Sequence, residues 1–141
     1  AIIPTIFTQA YDSNYIKIGN NNTTRDFTYV LDLCNAYEKL LKCRKNNAYG
    51  NIYNIGNNME ISVKDLIYQI KNITGKNKKI ISDSKRVRKP SSEVQRLRCD
   101  YSAFKKLTKW EPKYSINSGL KKFNNWFLEH RNVYKSNQYN I

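Results

Sequence analysis

Seven arginines occur among the 141 residues, and four of them, Arg86, Arg88, Arg96 and Arg98, fall within thirteen positions. A fifth, Arg25, follows the run Gly19 to Thr24 and stands with Asp26 at the mouth of the aromatic and β-branched stretch Phe27-Thr28-Tyr29-Val30. A guanidinium is planar, permanently charged and able to grip two phosphate oxygens at once. In the segment from 85 to 94, KRVRKPSSEV, serine hydroxyls beside the cations can add neutral hydrogen bonds. Glu93 suits a different task, because a carboxylate can accept from two vicinal hydroxyls of a ribose. Cations for phosphates plus a carboxylate for a sugar diol describe a nucleotide. Two plainer readings use the same residues: Arg25 and Asp26 as a surface ion pair, and 85–94 as an exposed basic loop with Glu93 as its counter-ion.

Catalytic sets are mostly absent. His130 is the only histidine, late in the chain, which leaves a Ser-His-Asp or Cys-His arrangement little to work with. The glycines 19, 50, 56, 75 and 119 are isolated, so no phosphate-cradling glycine loop is present. Cys34, Cys43 and Cys99 are odd in number and widely spaced, which fits reduced structural thiols in a cytosolic protein better than a metal site.

The net charge of +14 predicts anionic partners: nucleic acid, a membrane surface or a phosphorylated metabolite. Residues 60–141 hold 19 basic and 7 acidic side chains, against 6 and 4 in residues 1–59. However, 18 of the 25 cations are lysines accompanied by 19 asparagines, a general bias that makes much of the charge plain solvation. In the stretch 76–98 nine cations face two acids with no aromatic among them, which argues against a nucleic-acid-binding module. No apolar run approaches the ~20 residues of a membrane crossing, and no secretory signal opens the chain. The only methionine is Met59, so the sequence reads as a fragment of a longer polypeptide.

The elements that would position these residues follow from periodicity. Ile2, Ile3, Ile6 and Phe7 predict a short helix over about 3–12, and Tyr15-Ile16-Lys17-Ile18 a strand ending at Gly19. Residues 25–30 read as extended. Asp32 is the expected N-cap of a helix to about Lys45, with Leu33, Ala36, Tyr37, Leu40 and Leu41 on one face. Residues 52–56 read as a strand, 62–75 as a helix with the capping box Ser62-Val63-Lys64-Asp65, and 79–82 as a strand. Residues 83–96 are a basic loop, followed by helices over about 101–108 and after Ser115. Residues 131–141 lack periodicity and read as a frayed tail. Strands alternating with helices are the pattern of an α/β layered sheet.

Six motifs stand in a familiar order: Ala1-Ile2-Ile3-Pro4-Thr5; Ile18-Gly19-Asn20; Arg25-Asp26-Phe27-Thr28-Tyr29-Val30-x-Asp32; Tyr53-Asn54-Ile55-Gly56; Ser91-Ser92-Glu93-Val94-x-Arg96-Leu97-x-Cys99-Asp100; and Trp110-Glu111-Pro112. Together they resemble the C-terminal half of extended short-chain dehydrogenase/reductases of the NAD-dependent epimerase/dehydratase family. Within it they are most similar to sugar-nucleotide 4,6-dehydratases acting on GDP-mannose or UDP-N-acetylglucosamine. The resemblance covers nearly all of residues 1–130.

It implies an α/β fold: the last elements of a Rossmann-type sheet from residues 1–60, and a helical substrate-binding lobe from 61–130, with 131–141 a flexible tail. It also implies that Arg25 contacts the diphosphate of a GDP- or UDP-linked sugar, with Gly19 and Asn20 near the base or ribose. Arg88 would be the second diphosphate ligand, Arg86 its rival for that role, and Glu93 would hold the ribose hydroxyls. Lys89 intervenes between Arg88 and Pro90, where relatives have proline directly after the arginine, and Lys109 stands where relatives tend to have glycine. The family's cofactor-binding glycines and its catalytic Tyr-x-x-x-Lys belong upstream. NAD or NADP would therefore be bound mainly by an N-terminal half not contained in this chain, no metal is required, and this chain alone would be inactive. Tyr101 precedes Lys105 by four but sits in the distal segment, so it is not that tyrosine. The parent would be a cytoplasmic homo-oligomer, pairing through upstream elements.

Overall fold

The computed structural model describes residues 1–87 and 89–134. Its helices are α1 (Ile2–Asp12), α2 (Val30–Leu41), α3 (Val63–Thr74), α4 (Ser102–Thr108) and α5 (Ile116–Glu129). Its strands are β1 (Tyr15–Ile18), β2 (Thr24–Arg25), β3 (Ile61–Ser62) and β4 (Lys79–Ser82), paired β1 with β4 and β2 with β3. Two compact units form, one from residues 1–23, 62–94 and 120–141 and the other from 24–61 and 95–119. Neither is continuous along the chain.

In the first unit β1 and β4 run parallel, Tyr15 opposite Lys79 and Ile18 opposite Ser82. A parallel pair needs a long crossover, and α3 leads directly into β4. Ile16 and Ile18 alternate inward, while Tyr15 and Lys17 face out. Helix α3 buries Val63, Leu66, Ile67 and Ile70 on one stripe. Its ends are as expected: the Ser62 hydroxyl accepts from the Asp65 N–H at 3.0 Å, and Gly75 closes it at φ +69°, a left-handed conformation that glycine adopts without strain. Phe7 of α1 lies 5.1 Å from Phe123 and 6.0 Å from Phe127, ring to ring, and the Tyr11 hydroxyl donates to Asn124 Oδ1 at 2.7 Å. Phe7 and Phe127 are fully buried, each contributing about 1.5–3 kcal/mol by leaving water. The expected tail begins with a 3-10 turn, Arg131–Val133, and its residues 135–141 lie outside those described.

In the second unit α2 and α4 enclose Ala36, Phe104 and Trp110, with Leu40, Tyr53, Ile55 and Tyr101 packed around them. Tyr101 meets Trp110 edge-on at 5.5 Å. Residues 52–56, expected as a strand, belong to no ladder among the described residues. Tyr53 and Ile55 still turn toward the core while Ile52 is 96% exposed, so the alternation is present without the pairing that makes a strand.

Asp32 is not the N-cap of α2. The helix begins at Val30 and is capped at Tyr29, three residues before Asp32, and the Tyr29 carbonyl accepts the Asp32 N–H at 3.0 Å. Asp32 sits inside the first turn, 2% exposed, and its carboxylate accepts the backbone N–H groups of Lys113 at 2.9 Å and Tyr114 at 3.0 Å. The acidic residue favours the helix N-terminus either way, but its hydrogen bonds reach across the fold instead of along the helix. The helix also ends early, at Leu41, where the Lys42 N–H still reaches Glu38 O and the Cys43 N–H tightens onto Leu40 O.

Candidate functional site

Parallel pairing of β1 and β4 puts their C-terminal ends side by side, so the loops that follow emerge together. These loops carry the expected ligands of the first unit. The Asp83 N–H donates to Ile18 O at 2.9 Å, and the next residue after Ile18, Gly19, lies directly against the turn Ser84–Arg86. A β-carbon on Gly19 would stand 2.2 Å from Arg86 O and 2.6 Å from its carbonyl carbon. Only glycine permits that approach.

Asp83 organises the turn. Its Oδ1 accepts from the Lys85 N–H at 3.1 Å and its Oδ2 from Arg86 Nε at 3.0 Å, in a half-buried ion pair. Burial pushes the Asp83 carboxyl upward, but the hydrogen bonds from Arg86 and Lys85 outweigh it and hold the group below the usual aspartate range. Asn20 is half-buried, its side-chain oxygen accepting from the Asn22 N–H at 3.0 Å. Glu93, also half-buried, follows a 3-10 turn in which the Ser92 N–H and hydroxyl both donate to Lys89 O. Arg88 lies outside the described residues.

Arg25 belongs to the second unit. Its Nη1 donates to the carbonyl of Thr24 at 2.7 Å. The Thr24 N–H donates to Gln95 O at 2.9 Å, and Thr24 O accepts the Leu97 N–H at 3.3 Å, so segment 95–97 runs beside β2. Asp26 accepts the N–H of Asn57 at 2.9 Å and of Cys99 at 3.0 Å, which makes its carboxylate a brace between two loops.

Sequence reasoning missed three carboxylates: Asp26 as a brace, Asp83 as the anchor of Arg86, and Glu60 as the partner of Arg96. The spacing of Asp83 and Arg86, three apart, is a local signal that could have been read. Glu60 and Arg96 are 36 residues apart, and nothing local connects them.

Burial, with the charges of Asp26 and Asp100, pushes the Cys99 thiol up, away from the thiolate that a nucleophile needs. Burial likewise raises Tyr11. His130 stacks on Trp126 at 4.7 Å, with Nδ1 2.9 Å from that residue's carbonyl oxygen. Among the described residues no group of His, Cys, Asp and Glu gathers as metal ligands would, and no helix is long and apolar enough to cross a membrane.

Residues 2–123 match the family model described as GDP-mannose 4,6 dehydratase. The UDP-glucuronate 4-epimerase of Thermodesulfobacterium geofontis is 32% identical over 127 residues, which are 89% of this chain and 37% of that protein. Among solved structures, an epimerase from Methanothermobacter thermautotrophicus superposes with a TM-score of 0.83 at 25% identity, covering 94% of this chain and 38% of the other. The dTDP-glucose 4,6-dehydratase of Bacillus anthracis, solved with NAD, gives 0.78 at 26% identity, covering 94% and 40%. This chain thus spans about a third of the length of the curated relatives it matches. Its parallel α/β architecture is that of Rossmann-type extended short-chain dehydrogenase/reductases, and the chain belongs to their NAD-dependent epimerase/dehydratase family, the nucleotide-sugar dehydratases and epimerases.

Proposed function

We propose that this chain is the C-terminal, substrate-binding part of an NAD(P)-dependent nucleotide-sugar dehydratase or epimerase and holds the nucleotide diphosphate of a GDP- or UDP-linked sugar. The observation that carries the reading is the Gly19–Arg86 contact, which sets a guanidinium-bearing turn against the loop Gly19-Asn20 where the strands of the first unit end. Ligands in open α/β sheets bind outside the carboxyl ends of strands. Arg25 and Arg86, with Arg88, are assigned to the diphosphate, Glu93 to the ribose hydroxyls, and Gly19 and Asn20 to the base or ribose. The hydride chemistry belongs to residues beyond this chain, with NAD or NADP bound chiefly there. The contribution of these residues is binding energy remote from the reacting carbon, which positions the sugar for the chemical step. Nothing in this role needs a metal, a membrane or nucleic acid. The parent is proposed to be a cytoplasmic homo-oligomer.

Titration of the chain with UDP and GDP by calorimetry tests the reading. Saturable binding is expected, and Arg25→Ala should weaken it by about 1.5–3 kcal/mol, the range for a hydrogen bond to a charged group. Glu93→Gln should weaken UDP more than 2'-deoxy-UDP. Absence of binding, or an unchanged dissociation constant in Arg25→Ala, would overturn the reading, and equal losses for the two nucleotides would remove Glu93 from the ribose.

A further inference from the structure

Arg25 is the second residue of a two-residue strand, too short for a ladder to hold its backbone unaided. The group that completes the restraint is a carboxylate from far along the chain. The Thr24 hydroxyl donates to Glu60 Oε2 at 2.6 Å. Arg96 closes on the same carboxylate from outside: its Nε lies 3.1 Å from Oε1 and 3.3 Å from Oε2, and its Nη2 donates to Oε1 as well. Every polar group of Thr24 is therefore engaged, the N–H with Gln95 O, the carbonyl with the Leu97 N–H and Arg25 Nη1, and the hydroxyl with Glu60.

We infer that Glu60, clamped by Arg96, is a positioning residue that fixes the Thr24–Arg25 backbone and so aims the Arg25 guanidinium. The inference deepens the proposed function and rests on Arg25 being a diphosphate ligand. A purely stabilising role fits the arrangement poorly. Arg96 is 75% exposed on its side chain, and ion pairs with one partner in water contribute little to stability. The side chain of Glu60 is only 20% exposed, and its carboxyl is held below the usual glutamate range, first by the Arg96 hydrogen bonds and then by Thr24. A carboxylate kept ionised there is a fixed acceptor for the threonine hydroxyl. The three residues act in series: Arg96 orients Glu60, Glu60 orients Thr24, and the Thr24 carbonyl receives Arg25.

The test combines two readouts on the whole chain. In the absence of nucleotide, 15N relaxation of the Arg25 Nε–Hε group should report an ordered side chain in the wild type. It should report a mobile one in Thr24→Val, which keeps the shape but loses the hydroxyl, and in Glu60→Gln, while Thr24→Ser should restore order. With UDP as the probe, Thr24→Val should weaken binding about three- to tenfold. The same change on an Arg25→Ala background should have no further effect, because the residue acts only through Arg25. Unchanged Arg25 order in Thr24→Val, or equal UDP losses on both backgrounds, would overturn the inference. If instead Arg25→Ala binds UDP like the wild type while Arg25 order still depends on Thr24 and Glu60, the positioning stands and the diphosphate role of Arg25 falls.

Discussion

Replacing Asp32 separates a local role for this residue from a long-range one, and the size of the effect can be worked from its contacts. Its carboxylate accepts two backbone N–H groups, Lys113 at 2.9 Å and Tyr114 at 3.0 Å, from a side chain only 2% exposed. Hydrogen bonds to a charged group contribute about 1.5–3 kcal/mol each. Asp32→Asn keeps one acceptor oxygen and turns an NH2 donor toward the other N–H, leaving it unpaired. A further ~0.3–1 kcal/mol goes with the charge in the first helical turn. Relief of the burial of that charge acts in the opposite direction. The net cost of Asp32→Asn should be about 2–3 kcal/mol. Asp32→Ser is more telling, because serine is a good N-cap and would be tolerated if capping were the role, with little or no loss. Its short side chain cannot bridge both amides, so the structure requires a loss at least as large as that of Asn. Urea unfolding followed by circular dichroism gives the total, and amide exchange at Lys113 and Tyr114 locates it. A serine variant within about 0.5 kcal/mol of the wild type, or unchanged exchange at those two amides, would refute the reasoning.

Gly19→Ala should force the Arg86 carbonyl away from a β-carbon 2.2 Å distant. The expected cost is about 1–3 kcal/mol of stability, with faster exchange at the Val87 N–H, now bonded to Ser84 O at 3.1 Å; wild-type stability and exchange would show that the loop has room. Lys109→Gly should stabilise the chain by about 1 kcal/mol, because Lys109 ends α4 at φ +61°, a left-handed conformation costly to any residue with a β-carbon. An unchanged or lower urea midpoint would count against it. Acid should destabilise the fold. The carboxyls of Glu60, Asp83 and Asp100 are held below their ordinary values, Asp100 chiefly by the Ser102 N–H. The folded state therefore binds fewer protons than the unfolded one in this range. The stabilisation is present above the ordinary carboxylate range, about 4, and is lost as pH falls through the lowered folded values. A urea midpoint that stays flat from pH 7 to pH 3 would contradict this.

Local periodicity was sufficient for much of the fold. The alternation of Tyr15-Ile16-Lys17-Ile18 and the capping box at Ser62 mark β1 and α3 at their observed bounds, because each is decided within a few residues of itself. The arginine cluster is likewise visible in the linear order. What lies beyond reach of any local pattern is who meets whom. That residues 79–82 pair with 15–18 rests on a crossover of some sixty residues, and the contact of Gly19 with Arg86 exists only because that parallel pairing brings two strand ends together. Asp32 shows the limit most clearly. Its position before an apolar stripe reads as a cap, and only the folded chain supplies the two amides, 81 and 82 residues away, that claim its carboxylate. Residues 52–56 show the converse, a strand's composition without a strand, since a strand exists only when a second segment is placed beside it. The sequence by itself determined where most of the helices and the strands 15–18 and 79–82 would lie, because propensity, capping and side-chain alternation act within a few residues. Tertiary structure alone decided which carboxylates would anchor the arginines, because burial and hydrogen-bond geometry depend on neighbours that the linear chain keeps far apart.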